Sequence, residues 1–273
     1  MSVKAWEDGP SYIDMPRSMD SYSAPAIPDP EKLQRLDGAR ETMRWLRSAL
    51  TEQRDGLQPL LADLSGLDAD SREVIHQILG EGEVSISCSG EATARIQESV
   101  LAGVWRILYV DDDEKVVADL LEVAPYPHVL SVAFEDSRPL DTSTDEDSVE
   151  LPNAMPILVE LAEAARKFEA DGTQHSINFT LLPTTAEELE FIEDRLGRGP
   201  VNILSRAYGK CQVISTLSAN VWWVRYYNSM NTLILNTIEV TKVPAVVGAA
   251  PEDLRDSAER LEDILRPYDL DAR

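Results

Sequence analysis

From residue 60 onward the chain alternates between two hydrophobic periods. "EVSISCSG" and "ATARIQESV", then "GVWRILYV" and "KVVADLLEV", place apolar side chains at every second position between clusters of turn residues. That pattern predicts an antiparallel meander. The same succession returns downstream as "PVNILSR", "CQVISTL", "NVWWVRYY" and "TLILNTIEV". Each meander follows a stretch with the helical period. In "DADSREVIHQILG" the stripe is Val74, Ile75, Ile78 and Leu79; in "TTAEELEFIEDRLG" it is Leu189, Ile192 and Leu196. The second opens on a capping box, Thr185 to Glu188, and both end at a glycine, as a left-handed helix C-terminus requires. One more strand is predicted before each of these helices, in "LQPLLADL" and "HSINFTLL". Further helices flank the meanders: "DGARETMRWLRSALTEQ", "AMPILVELAEAARKFEAD" and "PEDLRDSAERLEDILR".

The two meanders are copies. Leu79-Gly80-x-Gly82-x-Val84-x-Ile86 matches Leu196-Gly197-x-Gly199-x-Val201-x-Ile203, an offset of 196 − 79 = 117. The offset holds without a gap to Arg138 and Arg255, with 17 of 60 positions identical. Chance identity is about 6 % per position at ordinary composition. The fold class is therefore α+β, a duplicated domain in which each copy is a helix plus an antiparallel β-meander with flanking helices, of the two-layer α/β sandwich type. The division is a Pro/Ser-rich tail (1–35), expected to be disordered or draped over the body, a first repeat (36–135), an acidic linker (136–152) and a second repeat (153–273).

The glycines of "RLGRGPVNILSRAYGKC" suggest a phosphate loop, but the order is wrong. Such a loop runs strand, glycines, helix N-terminus, where free N–H groups point at the anion. Here the glycines follow a helix and precede a strand, so they turn a corner.

Comparing the copies separates core from candidate site. Trp105, Ile107 and Tyr109 persist as Trp222, Val224 and Tyr226, which marks a core face. The opposite face changes from Val104, Arg106, Leu108 and Val110 to Val221, Trp223, Arg225 and Tyr227. Trp, Arg and Tyr are enriched at binding hot spots. This face either meets a partner or packs against the other copy or a flanking helix. Nearby, "SRAYGKC" replaces "CSGEATA". The candidate partner-binding residues are thus Arg206, Tyr208, Cys211, Trp223, Arg225 and Tyr227, all in the second copy.

Composition narrows the classes of function. The net charge is −24, from 49 acidic and 25 basic residues. Such a surface repels nucleic-acid phosphates and suits a basic partner. Cys88 and Cys211 have no metal-ligand spacing, which points to a reducing compartment. No apolar leader opens the chain and no run is long enough to span a bilayer, so the expected location is the cytoplasm. Asp111-Asp112-Asp113-Glu114 occupies a hairpin turn that reads Asn-Ser-Met-Asn in the second copy, and is taken as solvated rather than as a metal site. His76, His128 and His175 match no ligand motif. No nucleophile–base pattern is present. The expectation is a binding protein, not an enzyme, with no cofactor and no metal.

"LGEGEVS", "GPVNILSRAYGKCQVIST", "NVWWVRYYNSMNTLILNTIEV" and "PEDLRDS" resemble the HupH family of hydrogenase expression/formation proteins, over about residues 60–270. Ala207 stands where that family's pattern has glycine. The resemblance implies an accessory protein in the maturation of a nickel–iron hydrogenase. It implies a chaperone-like binder of the small, iron–sulfur subunit precursor before twin-arginine export. Other hydrogenase accessory proteins are further possible partners. A redox or iron–sulfur transfer factor using Cys211 is the alternative from another class, and an uncharacterised enzyme is a third.

Overall fold

The structure, a computed structural model, describes residues 29–53, 58–134, 137–144, 151–206 and 209–268. The chain begins with α1 (Pro30–Gln34) and α2 (Asp37–Gln53). The first copy continues through β1 (Leu60–Asp63), α3 (Ala69–Leu79), β2 (Val84–Cys88), β3 (Thr93–Glu98), β4 (Val104–Val110), β5 (Val116–Val123) and α4 (Val129–Val132). The second copy has α5 (Ala154–Asp171), β6 (His175–Asn178), α6 (Ala186–Leu196), β7 (Val201–Ser205), β8 (Lys210–Ser215), β9 (Val221–Tyr227), β10 (Leu233–Val240) and α7 (Pro251–Leu265). Strands β2 to β5 and β7 to β10 keep the offset at both ends, for example 201 − 84 = 117, as do α3 and α6. Left-handed backbone recurs at the same offset, at Gly80 and Gly197, Gly103 and Asn220, and Glu114 and Asn231.

Local chemistry explains the repeated corner. Asp68 caps α3 by accepting the Ser71 N–H at 2.8 Å. Thr185 and Glu188 form the reciprocal capping box of α6. Gly80 (φ 54°) and Gly197 (φ 61°) end these helices in left-handed backbone, where a side chain is strained. The second glycine of each motif answers a different constraint. A Cβ on Gly82 would come 2.2 Å from the Ser99 carbonyl oxygen, and one on Gly199 would come 2.3 Å from that of Thr216.

The ten described strands form one sheet in the order β1-β5-β4-β3-β2-β7-β8-β9-β10-β6. The copies join edge to edge through antiparallel β2 and β7, in which Ile86 lies opposite Ile203. Those two residues are equivalent, so a local two-fold axis passes between them. One face of the sheet carries the long helices. On the first copy, α2 and α3 bury Met43, Leu46, Leu50, Ile75 and Ile78 against Val104, Leu121 and Val123. On the second, α5 and α6 bury Ile157, Leu158, Leu161 and Ile192 against Val221, Trp223, Ile238 and Val240. The other face buries Ile86, Ile96, Trp105, Ile203, Val213 and Trp222 beneath α4 and the segments that follow β5 and β10.

The ends of the copies cross over. Helix α7 follows β10 of the second copy, yet Leu261 and Leu265 belong to the first copy's core. Ser257 Oγ and an Arg260 guanidinium N–H donate to the carbonyls of Ala102 and Val100 at 3.0 and 3.1 Å. Conversely, residues 137–144, part of the expected acidic linker, lie on the second copy. The Arg138 N–H donates to Leu217 O at 2.8 Å, Arg195 pairs with Asp141 at 2.8 Å, and Leu140 and Leu151 pack against its core. The sequence extends the tail through residue 35, but α1 lies within that span. Asp29 caps α1 by accepting the Glu31 N–H, Pro30 sits in its first turn, and Leu33 is buried in the first core.

Candidate functional site

Strand β9 carries three of the six candidate residues, and its two faces are both covered. Val221, Trp223 and Arg225 point to the helix layer. Trp223 stacks on Phe179 at 5.6 Å with the rings 9° from parallel. Its Nε1–H donates to Asn236 Oδ1 at 2.5 Å. The Arg225 guanidinium lies 4.7 Å from the Trp223 ring centroid and pairs with Glu193 of α6. Burial pushes the Glu193 carboxyl up to about 7, against the pull of Arg225. Of the two roles open to this face, the structure gives Trp223 and Arg225 the internal one: both are buried, and they tie β9 to β10, to α6 and to Phe179 just after β6. The first copy fills the same positions differently. Arg106, equivalent to Trp223, forms a two-pronged pair with Asp119, equivalent to Asn236, at 3.1 and 2.9 Å.

The opposite face holds one buried cluster to which equivalent residues of the two copies contribute. Trp105 Nε1–H donates to Ala124 O at 2.9 Å and Trp222 Nε1–H to Thr241 O at 3.0 Å, at equivalent positions. Cys211 lies beside Tyr226 across the β8–β9 pair. It is 1 % exposed, and burial pushes its thiol up to about 11. The thiolate is the nucleophile and the metal ligand, so this environment leaves Cys211 unreactive near neutral pH. Cys88 is also buried and its thiol is raised by burial. Glu122 is 1 % exposed and accepts the His128 N–H at 2.8 Å. Burial pushes its carboxyl up to about 7.

Arg206 is exposed, at the end of β7, with its N–H on Glu83 O at 3.0 Å. Tyr208 lies outside the described residues. Tyr227 is half-buried, with Lys210 Nζ 5.5 Å from its ring centroid. Asp111 Oδ1 accepts the N–H groups of Asp113 and Lys115 at 3.1 and 2.9 Å, which shapes the turn, and Glu114 pairs with Arg95. Among the described residues no three His, Cys, Asp or Glu side chains gather as metal ligands would. No described helix is long and apolar enough to cross a membrane. Sequence reasoning passed over a set of exposed apolar side chains on the outer side of the second copy: Leu181, Leu182, Met230, Leu233 and Ile234. Their signal was available, since Met230 replaces Asp113 in the repeat.

The buried carboxyls set a pH dependence. Glu98, Glu122 and Glu193 are each pushed up to about 7 in the folded chain, against about 4.3 for a free Glu. Between those values the folded state binds more protons than the unfolded state, so these groups make stability fall as pH rises through that window. Glu122→Gln, which can still accept the His128 N–H, should raise the melting temperature at pH 8 and flatten its fall between pH 5.5 and pH 8. Thermal melts at both pH values check this, and an unchanged slope would contradict it.

Comparison with known proteins adds the family. The model described as "HupH hydrogenase expression protein, C-terminal conserved region" matches residues 39–145 and again 151–268. The chain belongs to the HupH hydrogenase expression protein family. The double match coincides with the two copies. Among its relatives, the hydrogenase expression/formation protein HupQ of Azotobacter chroococcum mcd 1 is 43 % identical, over 94 % of this chain and 92 % of that one. HupH of Rhizobium leguminosarum bv. viciae is 40 % identical over 82 % and 79 %. The hydrogenase-1 operon protein HyaF of Escherichia coli (strain K12) is 34 % identical over 80 % and 77 %. A solved structure of hydrogenase expression protein HupH from Thiobacillus denitrificans ATCC 25259 is 31 % identical, covers 43 % of this chain and 96 % of that one, and has a TM-score of 0.39.

Proposed function

We propose that this protein is a chaperone-like accessory factor that binds the precursor of a hydrogenase small, iron–sulfur subunit in the cytoplasm during maturation. Membership of the HupH family carries the reading, because relatives named as hydrogenase expression or formation proteins match most of the chain. A role in hydrogenase maturation follows from the family. The choice of the small-subunit precursor is the finer step. It is supported by the net charge of −24, which suits a precursor whose export signal carries a basic twin-arginine segment. Arg206, Tyr208 and Tyr227 are the contacts this reading keeps. Cys211, Trp223 and Arg225 serve it by fixing the strands that carry them. The transfer-factor alternative draws no support from Cys211, whose thiol is buried and raised.

Titrating the purified protein with small-subunit precursor, with and without its export signal, at low and high salt, tests the reading. Attraction between exposed charges is screened as the Debye length falls from about 10 Å at 0.1 M to about 3 Å at 1 M. Binding should be tighter with the signal, and the advantage of the signal should shrink at 1 M salt. Failure to bind either form would sink the proposal, and equal affinity for both would remove the signal from it.

A further inference from the structure

Strand β10 has an outer edge that its neighbour covers only in part. β6 pairs with Thr237 to Val240. The last contacts along this edge are the Phe179 N–H donating to Asn236 O and the Asn236 N–H donating to Thr180 Oγ1, both at 2.9 Å. Beyond them, among the described residues, no strand lies beside Leu233–Leu235. On its inner side this stretch still pairs with β9, through a bulge at Ile234. The uncovered stretch is also apolar. Ile234 is 55 % and Leu233 45 % exposed, and Met230, in the turn before them, is 80 % exposed. Leu181 and Leu182 follow Thr180 directly, with Leu181 80 % exposed.

The first copy has the same edge, uncovered at the same positions, with a different turn beside it. The Leu64 N–H donates to Asp119 O and the Asp119 N–H to Ser65 Oγ, matching the contacts around Asn236. Val116 and Val117 then stand exposed where the second copy has Leu233 and Ile234. There the preceding turn carries Asp111, Asp112, Asp113 and Glu114. Charges beside an edge strand are the usual guard against pairing with another chain. The second copy lacks those acids, and its β6–α6 connection is two residues longer than β1–α3, seven against five. Both edges are therefore apolar, and they differ in the turn beside them, charged in the first copy and uncharged in the second.

We propose that the outer edge of β10 at Leu233–Leu235 is a strand-addition site for an extended segment of another protein chain, apolar at alternate positions and free of acidic residues. An extended chain satisfies the edge's backbone groups while alternate side chains cover Leu181, Met230 and Ile234. The net charge of −24 selects the occupant. It disfavours a second copy of this protein and favours the approach of neutral or basic segments. This deepens the binder reading and rests on it for the identity of the chain, but the surface itself can be tested separately.

The probe is a fluorescent synthetic peptide of alternating valine and threonine with paired lysines at each end, followed by anisotropy. The wild-type protein binds it. N-methylation of alternate backbone nitrogens weakens binding by about tenfold or more, because it removes the donors that add to the edge. The exposed double variant Leu181→Ser/Ile234→Ser loses affinity to a similar extent. Val116→Ser/Val117→Ser in the first copy does not. Equal binding of the methylated peptide, unchanged affinity of the second-copy variant, or a wild-type dimer that this variant dissolves would each overturn the proposal. A wild-type protein that binds the peptide but no hydrogenase precursor would overturn the subunit-binder reading alone. A Leu181→Ser/Ile234→Ser protein with wild-type affinity for the precursor would overturn the edge site alone.

Discussion

Leu261→Asp should unfold the first copy of the repeat before the second, although Leu261 belongs in sequence to the second. Leu261 is fully buried in the core formed by Met43, Leu46, Leu50, Ile75 and Ile78. Truncating such a leucine to alanine costs about 2–5 kcal/mol, and a carboxylate in the same place costs more, because it must be buried without a designed partner or be protonated. A whole domain is stable by only about 5–15 kcal/mol. The loss should fall first on the elements that α7 covers. Amide hydrogen exchange should show α2 and α3 losing protection at milder conditions than α5 and α6. The reverse order would mean that α7 stabilises its own copy and that the crossover is not an energetic one.

That crossover marks where reading the sequence stops. The offset of 117 was legible because it rests on local requirements repeated twice. A helix must stop in left-handed backbone at Gly80 and Gly197, and the next glycine must pass a carbonyl oxygen at a distance that forbids a Cβ. Such demands act within a few residues and leave a mark at each position. The strands and helices followed from their periods for the same reason. Three features left no local mark. The junction of β2 with β7 joins segments that are 117 residues apart, and either could equally be an outer strand of its own meander. The exchange of the terminal segments depends on which of two similar cores offers the better fit to α7. The assignment of β9 was ambiguous because both its faces are covered, so apolar and amphipathic residues occur at consecutive positions and the period carries little information. Trp223 and Arg225 suit an interface and an interior contact alike. Only the positions of Phe179 and Glu193, far away in sequence, decide between them.

Glu193→Leu should destabilise the protein more than the double substitution Glu193→Leu/Arg225→Leu. Both side chains of the pair are about 10 % exposed, so the guanidinium is largely withdrawn from water when its carboxylate is removed. Breaking a buried pair on one side typically costs about 3–5 kcal/mol, whereas replacing both partners by apolar groups is often close to neutral. Here the double variant also gives up the contact of Arg225 with the Trp223 ring at 4.7 Å, worth about 0.5–2 kcal/mol, and the long Nε–H bond to Asn236 Oδ1 at 3.5 Å. The double variant should therefore lie between the wild type and the single variant. The experiment belongs at pH 8, because burial holds the Glu193 carboxyl at about 7 and the pair is fully charged only above that value. Denaturant unfolding of the wild type, both single variants and the double variant closes the cycle. Strictly additive losses would show that the pair is not coupled. A single Glu193→Leu loss below about 1 kcal/mol would show that water or another group replaces the carboxylate at no cost. A coupled pair fixes β9 to α6, and Tyr227, two residues beyond Arg225 and proposed above as a partner contact, then extends from a fixed strand.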